Sequence, residues 1–261
     1  NLEELLLYKN SIKSVDPGIG ELKKLKTLNL FNNIKGGLAK LPWKELGTLS
    51  ALEELNLAAN KMMMVPDPAF AALSSLKILS LNDNRLVRLG SLAPCAALEE
   101  LRVYNNNLEE MPVIGKCENL TIIEINNNRV TKIPSDYFAN TPALERLVAS
   151  KNFIEAVPAS LASCSGLQFL QMQEQQEGKL AAFEEAAWGG LGKLETLFLQ
   201  DNPNLAVPEA FGQCAALKRV NVGKAAPDAL ADIFKKLALN APGGKYWDPA
   251  TGKCEDSPVK A

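Results

Sequence analysis

The sequence predicts an α/β solenoid of about ten short units, with one parallel sheet on its concave face and a helical cap at the C-terminal end. Three observations predict it. The pattern L-x-x-L-x-L-x-x-N recurs at intervals of 22 to 27 residues over residues 1–226. Its L-x-L centre has the period of two that marks a strand with one apolar face. After the last copy, the apolar spacing changes to Leu230, Ile233, Phe234 and Leu237, which is the spacing of a helix.

The copies start at Leu2, Leu25, Leu52, Leu76, Leu98, Leu120, Leu144, Leu167, Leu194 and Leu217. A strand this short cannot bury its apolar face alone, so successive units must stack side by side. The ninth position is Asn10, Asn33, Asn60, Asn84, Asn106, Asn128, Asn152 and Asn202. A buried amide in that column can satisfy backbone groups of neighbouring turns and so form a ladder. A turn preference explains any one of these asparagines; it does not explain eight in register. An apolar-Pro step follows, as in Leu41-Pro42, Val65-Pro66, Met111-Pro112, Ile133-Pro134, Val157-Pro158 and Val207-Pro208. Proline lacks an N–H, which suits a segment outside the sheet.

A further apolar column lies three residues before each motif: Leu22, Leu49, Leu73, Cys95, Cys117, Thr141, Cys164, Leu191 and Cys214. Four of the five cysteines share this column with leucines and read as small buried hydrophobes. A bridge between neighbours such as Cys95 and Cys117 is the alternative. Cys254 stands outside the units and is the one candidate reactive thiol, with no activating group identifiable near it.

On these residues the chain resembles the leucine-rich repeat family over roughly residues 1–226. The resemblance implies a horseshoe whose concave sheet binds protein partners. Units of 22 to 24 residues with the x-x-Pro step are similar both to the intracellular Ras-suppressor-like class and to the 24-residue class common outside cells. Phe70 and Phe138 fit the second class. The paired-cysteine caps of extracellular members are missing, and the core thiols read as unpaired. An intracellular location, cytoplasmic or organellar, is therefore expected, with an extracellular one the alternative.

Two units are long. The 25–51 unit carries Ile34-Lys35-Gly36-Gly37 as a loop insertion. In the 167–193 unit Gln175 stands where the ladder asparagine should be, which reads as a break, and Leu180 to Trp188 reads as a short helix on the convex side. The last motif has Ala225 at the ladder position. Pro227 and Asp228 suit a helix start. The solenoid is thus placed at 1–226 and a capping helix with a turn-rich tail at 227–261, Tyr246 and Trp247 packing back on the cap. No cap precedes Leu2, which suggests either chain upstream of Asn1 or a partner covering that end.

Much chemistry is excluded. The chain has no histidine, which removes Ser-His-Asp and Cys-His mechanisms and every imidazole metal ligand. The formal net charge of −2 gives no global reason to expect nucleic acid or an anionic membrane as partner. Gly189-Gly190-Leu191-Gly192-Lys193 fails the phosphate-loop spacing, because Ala187 and Leu194 occupy the required positions. Asn82-Asp83-Asn84 lacks the glycine and distal glutamate of a calcium loop. No cofactor, metal, small-molecule substrate or membrane span is expected.

The third, fifth and seventh motif positions project from the face opposite the leucines. There the sequence places Tyr8, Phe31, Arg102, Tyr104, Ile122, Arg146, Val148, Phe169 and Phe198. Aromatic residues and arginine are enriched at the energetic centres of protein interfaces, whereas a merely solvated face favours Ser, Thr, Asn and Lys. The expected function is a non-enzymatic protein-interaction module using this face. The alternatives are a structural subunit held permanently in a larger assembly and a receptor ectodomain.

Overall fold

The computed structural model describes residues 1–206, 209–222, 245–248 and 253–256. The chain divides into two compact units, Asn1–Arg129 and Val130–Ala261. In the first, six strands pair in parallel and in chain order: Glu4–Leu6, Thr27–Asn29, Glu54–Asn56, Ile78–Ser80, Glu100–Arg102 and Ile122–Glu124. In the second, Arg146–Val148, Phe169–Gln171, Thr196–Phe198 and Arg219–Asn221 do the same. Each strand spans positions three to five of a motif, and the register never slips: Glu4 stands opposite Thr27, and Phe169 opposite Thr196. A one-residue slip would turn the leucines to solvent, which is why the register holds.

Behind the strands lies the core. Leu25, Leu28, Leu30, Leu52, Leu55 and Leu57 are completely or almost completely buried, as are their counterparts in the following motifs. Cys95, Cys117, Cys164 and Cys214 are buried as free thiols, with Thr141 in the same column. Burial pushes the Cys95 and Cys214 thiols up to about 12 and Cys164 to about 11. These cysteines are core atoms, inert at neutral pH.

The ladder is built as its chemistry requires. Asn60 Nδ2 donates to the Leu57 carbonyl of its own unit at 2.9 Å and to the Leu30 carbonyl of the preceding one at 3.0 Å. Asn84 repeats this with Leu81 and Leu57, and its Oδ1 accepts from Met62 N. Asn10, at the start of the first unit, is exposed and donates only within its own turn, to Leu7 and Tyr8 carbonyls.

Gln175 does not break the ladder, contrary to the expectation from sequence. It is buried; its Nε2 donates to Ala149 O at 2.9 Å and Met172 O at 3.2 Å, and its Oε1 accepts from Ile154 N at 3.0 Å. One extra methylene leaves the amide at the same level, so Gln serves the geometry of Asn. The two long units share a different departure. In ordinary units the side-chain oxygen accepts from the N–H two residues beyond the preceding ladder residue, as with Met62, Leu86 and Leu108. In the long units the donor is the ladder residue itself: Asn33 N to Asn60 Oδ1, and Gln175 N to Asn202 Oδ1. The inserted loop leaves the column two residues early.

The residue before each ladder position has positive φ: Lys9, Asn32, Ala59, Asp83, Asn105, Asn127, Lys151, Glu174 and Asp201 lie between 53° and 59°. The turn demands the left-handed region whatever the side chain, and Asn or Asp occupies five of the nine positions because these residues tolerate it best.

Away from the sheet, helical structure is almost entirely 3-10: Pro17–Glu21, Asp67–Phe70, Tyr137–Asn140, Ala159–Ser163 and Glu185–Gly190. The expected helix over 180–188 is corrected accordingly. Ala182–Phe183 forms a two-residue strand beside Ala156–Val157, and only Glu185 onward is helical. Phe183 stacks on buried Trp188, with ring centroids 4.6 Å apart. The 226/227 boundary and the helix through Leu230 and Leu237 lie outside the described residues. The tail differs from the turn-rich reading: Lys245–Asp248 and Lys253–Asp256 pair as antiparallel strands, with Trp247 opposite Cys254.

Candidate functional site

Alternation along each strand buries the leucines and turns positions three, five and seven to the opposite face. In the first unit this face is partly open. Tyr8 is 48% exposed and Leu6 beside it 52%, while Phe31, Arg102, Tyr104 and Ile122 are half-buried. Arg102 is held in place: its Nη1 lies 2.5 Å from Glu100 Oε2 and its Nε 3.6 Å from Glu124 Oε2. Tyr104 rises beyond it. Partial burial, then the charges of Asp83 and Glu124, push its phenol above the usual value. Asp83 in turn accepts from Asn82 Nδ2 and Asn105 Nδ2, both at 2.6 Å, and Asn127 donates to Asn105 at 2.9 Å. A row of fixed acceptor oxygens thus edges the face.

In the second unit the face centres on a contact that the sequence positions alone did not specify. The Arg146 guanidinium carbon lies 3.9 Å from the Phe169 ring centroid, and Phe169 meets Phe198 edge to face at 6.0 Å. Arg146 and Phe169 are register partners, and Phe198 sits one strand further and two residues along. Val148 is corrected: it is buried, only 6% exposed, and offers little to a partner. Its register partner on the neighbouring strand is Gln171. Thr196 is also buried, and its Oγ1 accepts from Arg219 Nε at 3.2 Å.

Sequence reasoning did not single out two buried amides on this face. Gln173 Oε1 and Gln200 Oε1, at position seven of successive motifs, accept no hydrogen bond among the described residues. Their signal was present, since Gln in consecutive copies of one column is unusual beside small Ser150. It also missed an apolar group off the strand face, where Met63, Met64, Val87 and Val113 are all more than 40% exposed; the Met62-Met63-Met64 run was the visible sign.

Among the described residues no group of three or more Cys, Asp or Glu side chains could hold a metal ion, and no helix is long and apolar enough to cross a membrane.

The comparisons with known proteins agree with this architecture. The family model described as "Leucine rich repeat" matches residues 50–108 and 118–175, and "Leucine Rich repeats (2 copies)" matches residues 1–43. Leucine-rich repeat-containing protein 66 of Homo sapiens is 31% identical over 86 residues, 33% of this chain and 9% of that protein. A protein phosphatase 1 regulatory inhibitor subunit homologue of Arabidopsis thaliana is 34% identical over 104 residues, 40% of this chain. The match spans 31% of that relative, so the chain covers less than a third of either. Among solved structures, a leucine-rich repeat protein of Leptospira interrogans aligns with TM-score 0.60 at 24% identity, covering 85% of this chain and 60% of the other. An internalin of Listeria monocytogenes aligns with TM-score 0.62 at 19% identity, covering 91% and 71%. At such identities these likenesses speak to the fold alone. With the motif in register, the ladder occupied and family models matching most of the repeats, the chain belongs to the leucine-rich repeat family.

Proposed function

We propose that this chain is a non-enzymatic module that binds a protein partner through the strand face opposite its leucines. One observation carries the reading: on that face Arg146 lies over the Phe169 ring, Phe169 meets Phe198 edge to face, and all three are half-exposed. Such a group is costly to leave in water and is typical of interface centres. Tyr104, Arg102, Ile122, Phe31 and Tyr8 supply comparable groups in the first unit. The absence of histidine and the inert thiols support a role without catalysis.

A second reading has its own support. Met63, Met64, Val87 and Val113, off the strand face, are all more than 40% exposed, and one relative is named as a regulatory inhibitor subunit. An accessory subunit held in an assembly would cover these groups, and the isolated chain would then self-associate.

The test is affinity capture from source lysate with two baits, wild type and the triple variant Tyr104→Ala, Arg146→Glu, Phe169→Ser. Circular dichroism establishes that the variant is folded. Specific partners should be retained by the wild type and lost by the variant. Partners that survive the substitutions would sink the face assignment.

A further inference from the structure

The first unit's face differs electrically from the second's, and the difference identifies the chemistry of an occupant. Across motif positions three, five, seven and eight, the first unit carries Glu4, Glu54, Asp83, Glu100 and Glu124 against only Lys9 and Arg102. Arg102 is already held by Glu100 and Glu124. In the second unit the same positions carry Arg146, Lys151 and Arg219 against Glu174 and Asp201 among the described residues.

The imbalance is sharpest in a cleft of about 240 Å³ at the start of the first four strands. Its lysines are spoken for: Lys26 Nζ lies 2.7 Å from Glu3 Oε2, and Lys77 Nζ 2.6 Å from Glu53 Oε2. Each pairing raises the lysine and lowers the glutamate, first through the hydrogen bond and then through charge. The other two carboxylates lining the cleft, Glu4 and Glu54, have no ion-pair partner among the described residues. Strand pairing puts Thr27 between them, so they stand two strand spacings apart, roughly 10 Å. Ile78 lines the cleft as well, and Leu6 and Phe31 lie on the same face.

We infer that the first unit's face docks a basic segment of a protein partner, one presenting two Lys or Arg side chains about 10 Å apart toward Glu4 and Glu54, with apolar groups toward Ile78 and Phe31. This rests on the reading of the strand face as the binding surface and adds the partner's chemistry to it. Covering two carboxylates without a countercharge carries a desolvation penalty that a neutral segment does not repay. An acidic segment is repelled, and a basic one is both attracted and steered. A polyproline II chain, with three residues per turn and about 3.1 Å of rise, places side chains i and i+3 on one face about 9 Å apart. It therefore matches the spacing without needing to fold.

The probe is a fluorescein-labelled peptide of about nine residues repeating Lys-Pro-Pro, with a Glu-Pro-Pro peptide of equal length as control, read by anisotropy at about 50 mM salt, where screening is modest. The baits are wild type, the isosteric variant Glu4→Gln with Glu54→Gln, and a control that removes two exposed carboxylates off the strand face, Glu109→Ser with Glu110→Ser. The basic probe should bind wild type and the Ser control alike, bind the Gln variant roughly tenfold more weakly, and lose affinity as salt rises; the acidic probe should not bind. Equal affinity of wild type and the Gln variant, equal binding of both probes, or no binding of either overturns the inference. If the Gln variant also captures the same partners as wild type while the Tyr104, Arg146, Phe169 variant loses them, the face remains the binding surface and only the basic-segment chemistry is wrong.

Discussion

The backbone N–H of Gln175 donates to Asn202 Oδ1 at 3.0 Å while its side chain reaches back to Ala149 and Ile154. One residue therefore joins three successive units. Gln175→Ala leaves the buried Ile154 N–H without its acceptor, while the Ala149 carbonyl keeps the donor Asn152 Nδ2, so a loss of about 1–3 kcal/mol is expected. Urea unfolding should show a lower midpoint at an unchanged slope. Gln175→Asn keeps the amide and should recover part of the loss. A Gln175→Ala variant as stable as wild type would show that the amide contributes nothing.

Ala59 sits at φ 53° where its counterparts are often Asn or Asp. An alanine there carries the left-handed penalty with no side-chain hydrogen bond to offset it. Ala59→Gly removes the penalty but adds unfolded-chain entropy, leaving a net gain of about 0.5–1 kcal/mol. Thermal and urea unfolding should both move upward; a drop would mean the methyl group matters more than the backbone strain.

Arg146 and Phe169 should be energetically coupled. A double-mutant cycle with Arg146→Ala and Phe169→Ala is expected to give about 0.5–1 kcal/mol, the range of a partly exposed cation–aromatic contact. A coupling indistinguishable from zero would make the contact a mere adjacency.

The core thiols set an alkaline limit. Burial raises Cys95 and Cys214 to about 12, Cys164 to about 11, and Cys117 also upward, from an ordinary value near 9. Because the folded state holds these protons longer than the unfolded chain, stability is undiminished below pH 9 and falls between pH 9 and about 12. Urea midpoints across that window should decline. Alkylation by iodoacetamide at pH 8, mapped by mass spectrometry, should mark these four positions only in denaturant.

The parts of the fold that repeat were legible in the sequence, because period two and a fixed unit length leave one stacking solution. Leu28, Leu55 and Leu79 fell where the pattern put them, and so did the cysteine column. Gln175 was misread because residue identity stood in for chemistry: an amide was required, not an asparagine. The 180–188 segment was misread because its Ala and Glu content favours helix, while the convex path between fixed strands leaves room only for a tight 3-10 turn. On the candidate face, alternation indicated direction but not exposure. Tyr8 is open and Val148 is not, since exposure depends on the height of neighbours that belong to other units.

The shifted donors in the two long units have an engineering consequence. Because Asn33 hands its own N–H to Asn60 before the loop departs, the segment that follows is released from the column. Gly37, at φ 78°, has nothing within 4 Å of the position a Cβ would take. Each doubling of such a loop costs only about 0.6 kcal/mol in closure entropy. This turn is a natural seam, able to carry a grafted epitope or reporter tag while the stacked units on either side keep their spacing.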